Sequence, residues 1–224
     1  MPNIYVNSND GYVRMTHTSW ASARDAVSGN LSSSTSTLSS YGVSAFASAG
    51  RGGSTTYYIS RSFFYFDTSG ISGEVDSATL KVYGVGTGGG DLIAVKSDLT
   101  ISSLGTADYD AIEGWDTSTG ANGSGAGDQE SNVTKYSNEI TTWSTSGYND
   151  IALNATAKTD MKNTNTLYLC LINFDNDLKD ITPTGTSTRS GVTYANYTGT
   201  SRDPYIEYTL VPSTNNSVFF GTNF

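Results

Sequence analysis

The chain has 224 residues, a net charge of −9, and charged side chains at only 15% of its positions. Its twelve Lys and Arg are scattered singly among twenty-one Asp and Glu, so no basic stripe exists to neutralise phosphates, which excludes nucleic acid and an anionic membrane surface as partners. Fifteen Tyr and eight Phe with so little charge exclude a disordered chain, and the length suits one all-β domain that folds without disulfide or metal.

In chain order, residues 3–7 and 10–15 read as short strands around the turn Ser8-Asn9-Asp10-Gly11. Trp20 to Val27 is a helical candidate with Ser19 as its cap and Gly29 beyond its end. Residues 28–54 are rich in Ser, Thr and Gly, but Leu31, Leu38, Tyr41, Val43 and Phe46 are spaced for one or two edge strands. The stretch Arg61–Gly84 is the organising one. Phe63, Phe64, Tyr65 and Phe66 form an aromatic run too short for a buried helix, which predicts a core strand. After Asp67-Thr68-Ser69-Gly70, the alternation from Ala78 to Tyr83 predicts a half-buried strand with Ala78, Leu80 and Val82 inward and Thr79 and Lys81 outward.

Gly84–Gly90 reads as a hairpin tip, since it lacks the Lys-Ser/Thr ending of a phosphate-binding loop. Leu92–Val95 is a buried strand, and residues 100–130 are the least regular part, with a mobile-looking Gly/Ser/Asn run at 117–127. Val133–Thr142 and Asp150–Leu153 read as strands. Ala155–Lys162 reads as a short helix capped by Asn154, and 166–174 and 203–210 as the last two strands. The sum is an all-β chain, a two-sheet sandwich of nine or ten strands with at most one or two short helices over residues 1–211. No period of 20 to 50 residues repeats, which excludes propellers and solenoids. Residues 212–224 form an aromatic tail in which Val218, Phe219, Phe220 and Phe224 follow a polar spacer; such a tail is expected to dock on a neighbour, as an assembly hook.

Candidate chemistry is sparse. His17 is the single histidine and no nucleophile-elbow motif accompanies it, so no Ser-His-Asp triad is expected. Glu113 and Asp116 flank Trp115, but both lie in one loop, whereas a glycosidase needs two opposed carboxyls. Tyr109 and Trp115 are the candidates for stacking on carbohydrate. Asp175, Asp177 and Asp180 alternate weakly in the manner of calcium ligands, yet lack the Gly and terminal Glu of an EF-hand loop, so a polar hairpin without metal or other cofactor is expected there. Cys170, alone in an apolar run, reads as a core thiol. Arg61 and Asp67 share strand parity and are expected to pair with each other or with backbone groups, in a structural role.

The pattern Arg61-Ser62-Phe63-Phe64-Tyr65-Phe66-Asp67-Thr68-Ser69, followed by Ser77-Ala78-Thr79-Leu80-Lys81-Val82-Tyr83-Gly84, resembles the DNRLRE-type jelly-roll modules related to disaggregatase and carbohydrate-binding domains. Asp10–Val13, Ser146–Asn154, Leu167–Leu171 and Asp203–Tyr208 fit the same order, so the resemblance spans residues 10–210. It implies a jelly-roll-like sandwich with a role in surface attachment, carbohydrate contact or virion architecture, and it supplies no catalytic residues. The start of the chain has no signal-peptide pattern and no stretch approaches the roughly 20 apolar residues of a membrane span. An extracellular-looking module without an export signal fits a virion protein released by lysis, and fits equally a piece of a longer chain that begins at an added Met. The leading expectation is therefore a non-enzymatic virion structural protein of a tailed bacteriophage, a capsid decoration or fibre subunit contacting other virion proteins and copies of itself. The alternatives are a carbohydrate-binding adhesion module on an extracellular surface and, more remotely, a polysaccharide-degrading enzyme.

Overall fold

A computed structural model describes residues 1–99, 103–118, 125–185 and 189–212. Eleven strands lie among them, every pair antiparallel. They are β1 (Asn3–Tyr5), β2 (Gly11–His17), β3 (Leu31–Ser33), β4 (Leu38–Ala49), β5 (Thr55–Asp67), β6 (Val75–Gly88), β7 (Leu92–Lys96), β8 (Tyr148–Ala152), β9 (Thr166–Asn173), β10 (Arg189–Thr193) and β11 (Tyr205–Leu210). Hydrogen bonds connect them in the order β1-β11-β6-β10-β4-β5-β2-β3, with β8 joined to β6, β9 to β5, and β7 to β9. The count exceeds the nine or ten expected because β10, a short Arg-Ser-Gly-Val-Thr segment, carries little strand pattern of its own.

Long strands let the sheet change partners along its length. β5 spans thirteen residues; one edge pairs with β4 from Thr55 to Ser60 and with β9 from Ser62 to Asp67, while the other pairs with β2. β6 spans fourteen residues and pairs with β11 and β8 in its first part and with β10 from Gly84 to Gly88. β4 is an interior strand between β5 and β10, where an edge strand was expected. Its alternating small residues, such as Ser44 and Ala45, are what an interior strand flanked on both sides requires, but they resemble turn composition.

The aromatic run of β5 is buried on both faces. Phe64 and Phe66 enter a cluster with Leu80 and Val82 of β6, Ile151 of β8, Ile206 of β11 and Leu169 of β9. Ala78, Leu80 and Val82 point inward as their alternation predicts. Ile59 and Phe63, on the opposite parity, join Ile93, Val95, Cys170 and Ile172 in a second cluster. Each such side chain contributes about 1.5–3 kcal/mol when fully buried. The second cluster is covered by helix α1 (Trp20–Arg24) and by the irregular excursion, through Trp20, Ala23, Leu104, Tyr109, Ile112 and Val133. The described part of the excursion is thus a packed layer.

Helix α1 begins as expected, with Ser19 Oγ accepting from Ser22 N, but ends at Arg24 rather than Val27 because Arg24 and Asp25 turn into the interior. Helix α2 (Ala155–Asn163) matches its predicted cap, Asn154 Oδ1 accepting from Ala157 N at 3.1 Å. The glycine-rich stretch at 84–90 is a crossing point, not a hairpin tip. A Cβ on Gly84 would lie 1.8 Å from the carbonyl oxygen of Ser144, and one on Gly90, at φ +68°, would lie 2.4 Å from that of Thr141. Residues 133–142 form no strand; they meet β7 through isolated bridges at Lys135 and Ile140 and through hydrogen bonds of Tyr136 and Ser137 to Ala94. Asp175–Asp177 lie in a π-helical turn, Phe174–Leu178, in place of the expected hairpin. The tail residues Val218, Phe219, Phe220 and Phe224 lie outside the described residues. Among the described residues no helix is long and apolar enough to cross a membrane.

Candidate functional site

Two arrangements gather chemistry-bearing side chains. The first is a buried knot centred on Arg61, which is fully enclosed. Its Nε and Nη2 donate to the two carboxylate oxygens of Asp177 at 2.9 and 2.8 Å, the paired geometry that suits a guanidinium. Nη1 donates to Tyr109 O and Nη2 also to Arg24 O. Burial disfavours the Arg61 charge, but the adjacent Asp177 carboxylate and Tyr109 more than offset it, so its pKa stands above the ordinary arginine value.

Arg24, equally buried, donates to the carbonyl oxygens of Asp177, Leu178 and Gly127 and to Asp25 Oδ1. Asp25 accepts from Ala126 N through its other oxygen, and burial pushes its carboxyl above the usual range. The indole of Trp115 lies over both guanidinium groups, its ring centroid 4.1 Å from Arg61 Cζ and 5.1 Å from Arg24 Cζ. One polar network thereby fastens α1, β5, the excursion and the π-helical turn together.

This placement accounts for most of the residues singled out from sequence. Tyr109 is wholly buried, its hydroxyl donating to Ala23 O, so it offers no face to a sugar. Trp115 is half-buried with its ring occupied by the two arginines. Asp177 is taken by Arg61, Asp180 accepts from Trp20 Nε1 at 2.7 Å, and Asp175 faces solvent, so the three do not converge. Among the described residues no group of three or more His, Cys, Asp or Glu is disposed to hold a metal ion. Arg61 does not pair with Asp67, which is exposed and accepts from Ser69; its bonds to the Tyr109 and Arg24 carbonyls are the backbone alternative that was expected. His17 is exposed, its Nδ1 accepting from Ser19 N. Cys170 is buried, and burial pushes its thiol pKa up, as suits a core residue.

The second arrangement is a cavity of about 320 Å³ between the end of β7, the excursion, α2 and β9. Lys96 Nζ sits between Glu113 Oε2 at 2.9 Å and Asp160 Oδ2 at 3.2 Å, and its pKa is raised chiefly by the hydrogen bond to Glu113. Tyr136 donates its hydroxyl to Asp160 Oδ2 at 2.6 Å, and Thr134 donates to Glu113 Oε1. Burial, then the bond to Asp160, holds the Tyr136 phenol above its ordinary pKa, so it stays a donor. Tyr168 forms one wall, with Tyr65 stacked against it at 5.7 Å. Of these residues only Glu113 stood out in the sequence, and with the wrong partner. Its opposed carboxylate is Asp160, 47 positions on, rather than Asp116; a helix face carrying one aspartate gives no local signal of that meeting.

Comparison with protein-family models and with curated proteins gives no match.

Proposed function

We propose that this chain is a non-enzymatic structural subunit, a two-layer jelly-roll-like sandwich displayed on a tailed-phage particle as a capsid decoration or fibre component. Support for two layers comes from the shared apolar cluster, in which Leu80, Ile151 and Ile206 from the β8-β6-β11 side meet Phe64, Phe66 and Leu169 from the β5-β9 side. The observation that carries the functional reading is the Arg61–Asp177 knot. The most deeply buried charges among the described residues are tied to one another and to backbone carbonyls, an arrangement that stiffens a building piece and leaves no reactive group free there.

An acidic, Ser/Thr-rich exterior keeps such a subunit soluble and off nucleic acid. Its partners are other particle proteins and copies of itself, and the aromatic tail beyond Pro212 is the proposed anchor. The test is to quantify the chain by mass spectrometry in purified particles from the lysate that encodes it. Stoichiometric copies are expected, and their loss on truncation after Pro212; absence from particles overturns the reading, and normal incorporation of the truncated chain removes the anchor.

A further inference from the structure

We propose that the sheet face carrying Arg14 and Arg189 is a docking surface for an acidic segment of a partner protein, one with two carboxylates set around an apolar side chain. Strand pairing brings these two arginines together from opposite ends of the chain. Arg189 of β10 lies opposite Ser44 of β4, Ser44 opposite Ser60 of β5, and Ser60 opposite Arg14 of β2. The four form one row across neighbouring strands, so the arginine backbones stand about 14 Å apart with two small buried serines between them. Both guanidinium groups lean over the same ring. Arg189 Cζ is 4.9 Å and Arg14 Cζ 6.0 Å from the centroid of Tyr41, and Arg189 Cζ is also 5.3 Å from that of Phe46. Phe46 in turn stacks on Tyr58, 4.7 Å away and 5° from parallel. These three rings join neither apolar cluster, and Tyr41 is 36% exposed.

The charge of the row selects the partner. Among the described residues neither Arg14 nor Arg189 pairs with a carboxylate, whereas Arg24, Arg61, Lys81, Lys96 and Lys135 each do. Arg14 uses its Nε on Ser60 Oγ at 2.8 Å, and the buried Nε of Arg189 has no acceptor. Each guanidinium thus keeps N–H donors unmatched among the described residues, in the fork geometry that suits a carboxylate. On a chain of net charge −9, two unpaired guanidinium groups on one face call for an anionic complement. A free phosphate or a lone carboxylate engages one fork and leaves the rings bare. In an extended polypeptide, acidic residues two positions either side of an apolar one put all three side chains on one face, the acids about 14 Å apart. That span matches the row: the apolar side chain rests on Tyr41 and Phe46, and each arginine takes one carboxylate.

The experiment titrates the full chain with the peptide acetyl-Glu-Ser-Phe-Ser-Glu-amide while following backbone amide shifts. The amides of Arg14, Tyr41, Phe46 and Arg189 are expected to move. The counterpart with Gln in place of Glu, inorganic phosphate and a polyuronate oligosaccharide are expected to leave them in place. Arg14→Gln and Arg189→Gln should each weaken peptide binding about tenfold, and added sodium chloride should weaken it in the parent. Arg14→Lys and Arg189→Lys, which keep the charge but not the fork, should also bind more weakly, and they stand in for a Gln variant that fails to fold. Arg202→Gln, whose guanidinium lies over Tyr83 instead, should change nothing. The inference is overturned if the acidic peptide moves none of these amides, or if the Gln peptide, phosphate or the polyuronate moves them as much. It is equally overturned if the folded arginine variants bind as the parent does. Shifts of the same amides on diluting the chain alone would make a second copy the occupant and overturn the assignment to a separate partner. The proposal rests neither on the aromatic tail nor on a particle, so these outcomes stand apart from those of the incorporation test.

Discussion

Arg61 on β5 and Asp177 in the π-helical turn, 116 positions apart in sequence, form a two-pronged ion pair from which water is wholly excluded. Removing one member leaves the other charged and unpaired in the interior, which costs about 3–5 kcal/mol, whereas replacing both with apolar residues of similar volume is far milder. Asp177→Ala is therefore expected to lose about 3–5 kcal/mol in urea unfolding. The double variant Arg61→Met/Asp177→Leu should recover much of that loss, though the Tyr109 and Arg24 carbonyls then lose their donors.

A second expectation concerns the crossing at Gly84. A methyl group there would meet the Ser144 carbonyl at 1.8 Å, so the 141–145 segment must shift. That segment is held by Trp143 Nε1, which donates to Gly191 O at 2.9 Å. Gly84→Ala should cost about 1–3 kcal/mol, the usual range for overpacking, and speed exchange of the Trp143 indole proton observed by NMR.

Acid should strengthen part of this fold. Asp10 is buried, and desolvation, opposed by the Ala195 N–H and reinforced by Asp203, raises its carboxyl well above the ordinary value of 3.8. Burial raises Asp203 as well. A carboxyl whose folded pKa is raised binds protons more tightly in the folded state. Its contribution is complete below the unfolded value and is lost as pH rises through the folded one. The contribution of these two groups should thus fall as pH climbs from the carboxylate range toward neutrality. Asp10→Asn, which keeps an acceptor for Ala195 N, should raise the melting temperature at neutral pH and flatten that slope in a pH series of melting curves.

The cap of α2 gives a local prediction. Asn154→Ala removes the acceptor of Ala157 N and the amide donor to Lys135 O, and should cost about 1 kcal/mol in unfolding experiments. A loss near zero would show that backbone and solvent replace the cap.

What could be seen in the sequence was whatever depends on near neighbours. The aromatic run at Phe63–Phe66, the inward alternation of Ala78, Leu80 and Val82, and the caps at Ser19 and Asn154 are local patterns, and each emerged in the structure. The partner of Arg61 was not legible. Strand parity pointed to Asp67, while the actual carboxylate sits in a turn whose Asp-rich composition resembles a solvated loop. Tyr109 and Trp115 misled for a related reason. Aromatic residues in an irregular acidic segment look like contact residues unless one knows that the segment is folded over two buried arginines. The Lys96–Glu113–Asp160 cleft drew on β7, the excursion and α2, and no spacing rule connects them.

The central claim is that the Arg61–Asp177 knot makes the described part of the irregular excursion a rigid layer, and native-state hydrogen exchange tests it most directly. The amides of Glu113 and Trp115, bonded to Lys96 O and Ile112 O, should exchange slowly in the parent chain. In Asp177→Asn, where the ion pair is lost but the shape is kept, their exchange should become much faster while that of β5 and β9 changes less. Fast exchange at Glu113 and Trp115 in the parent, or protection unchanged by the substitution, would contradict the account.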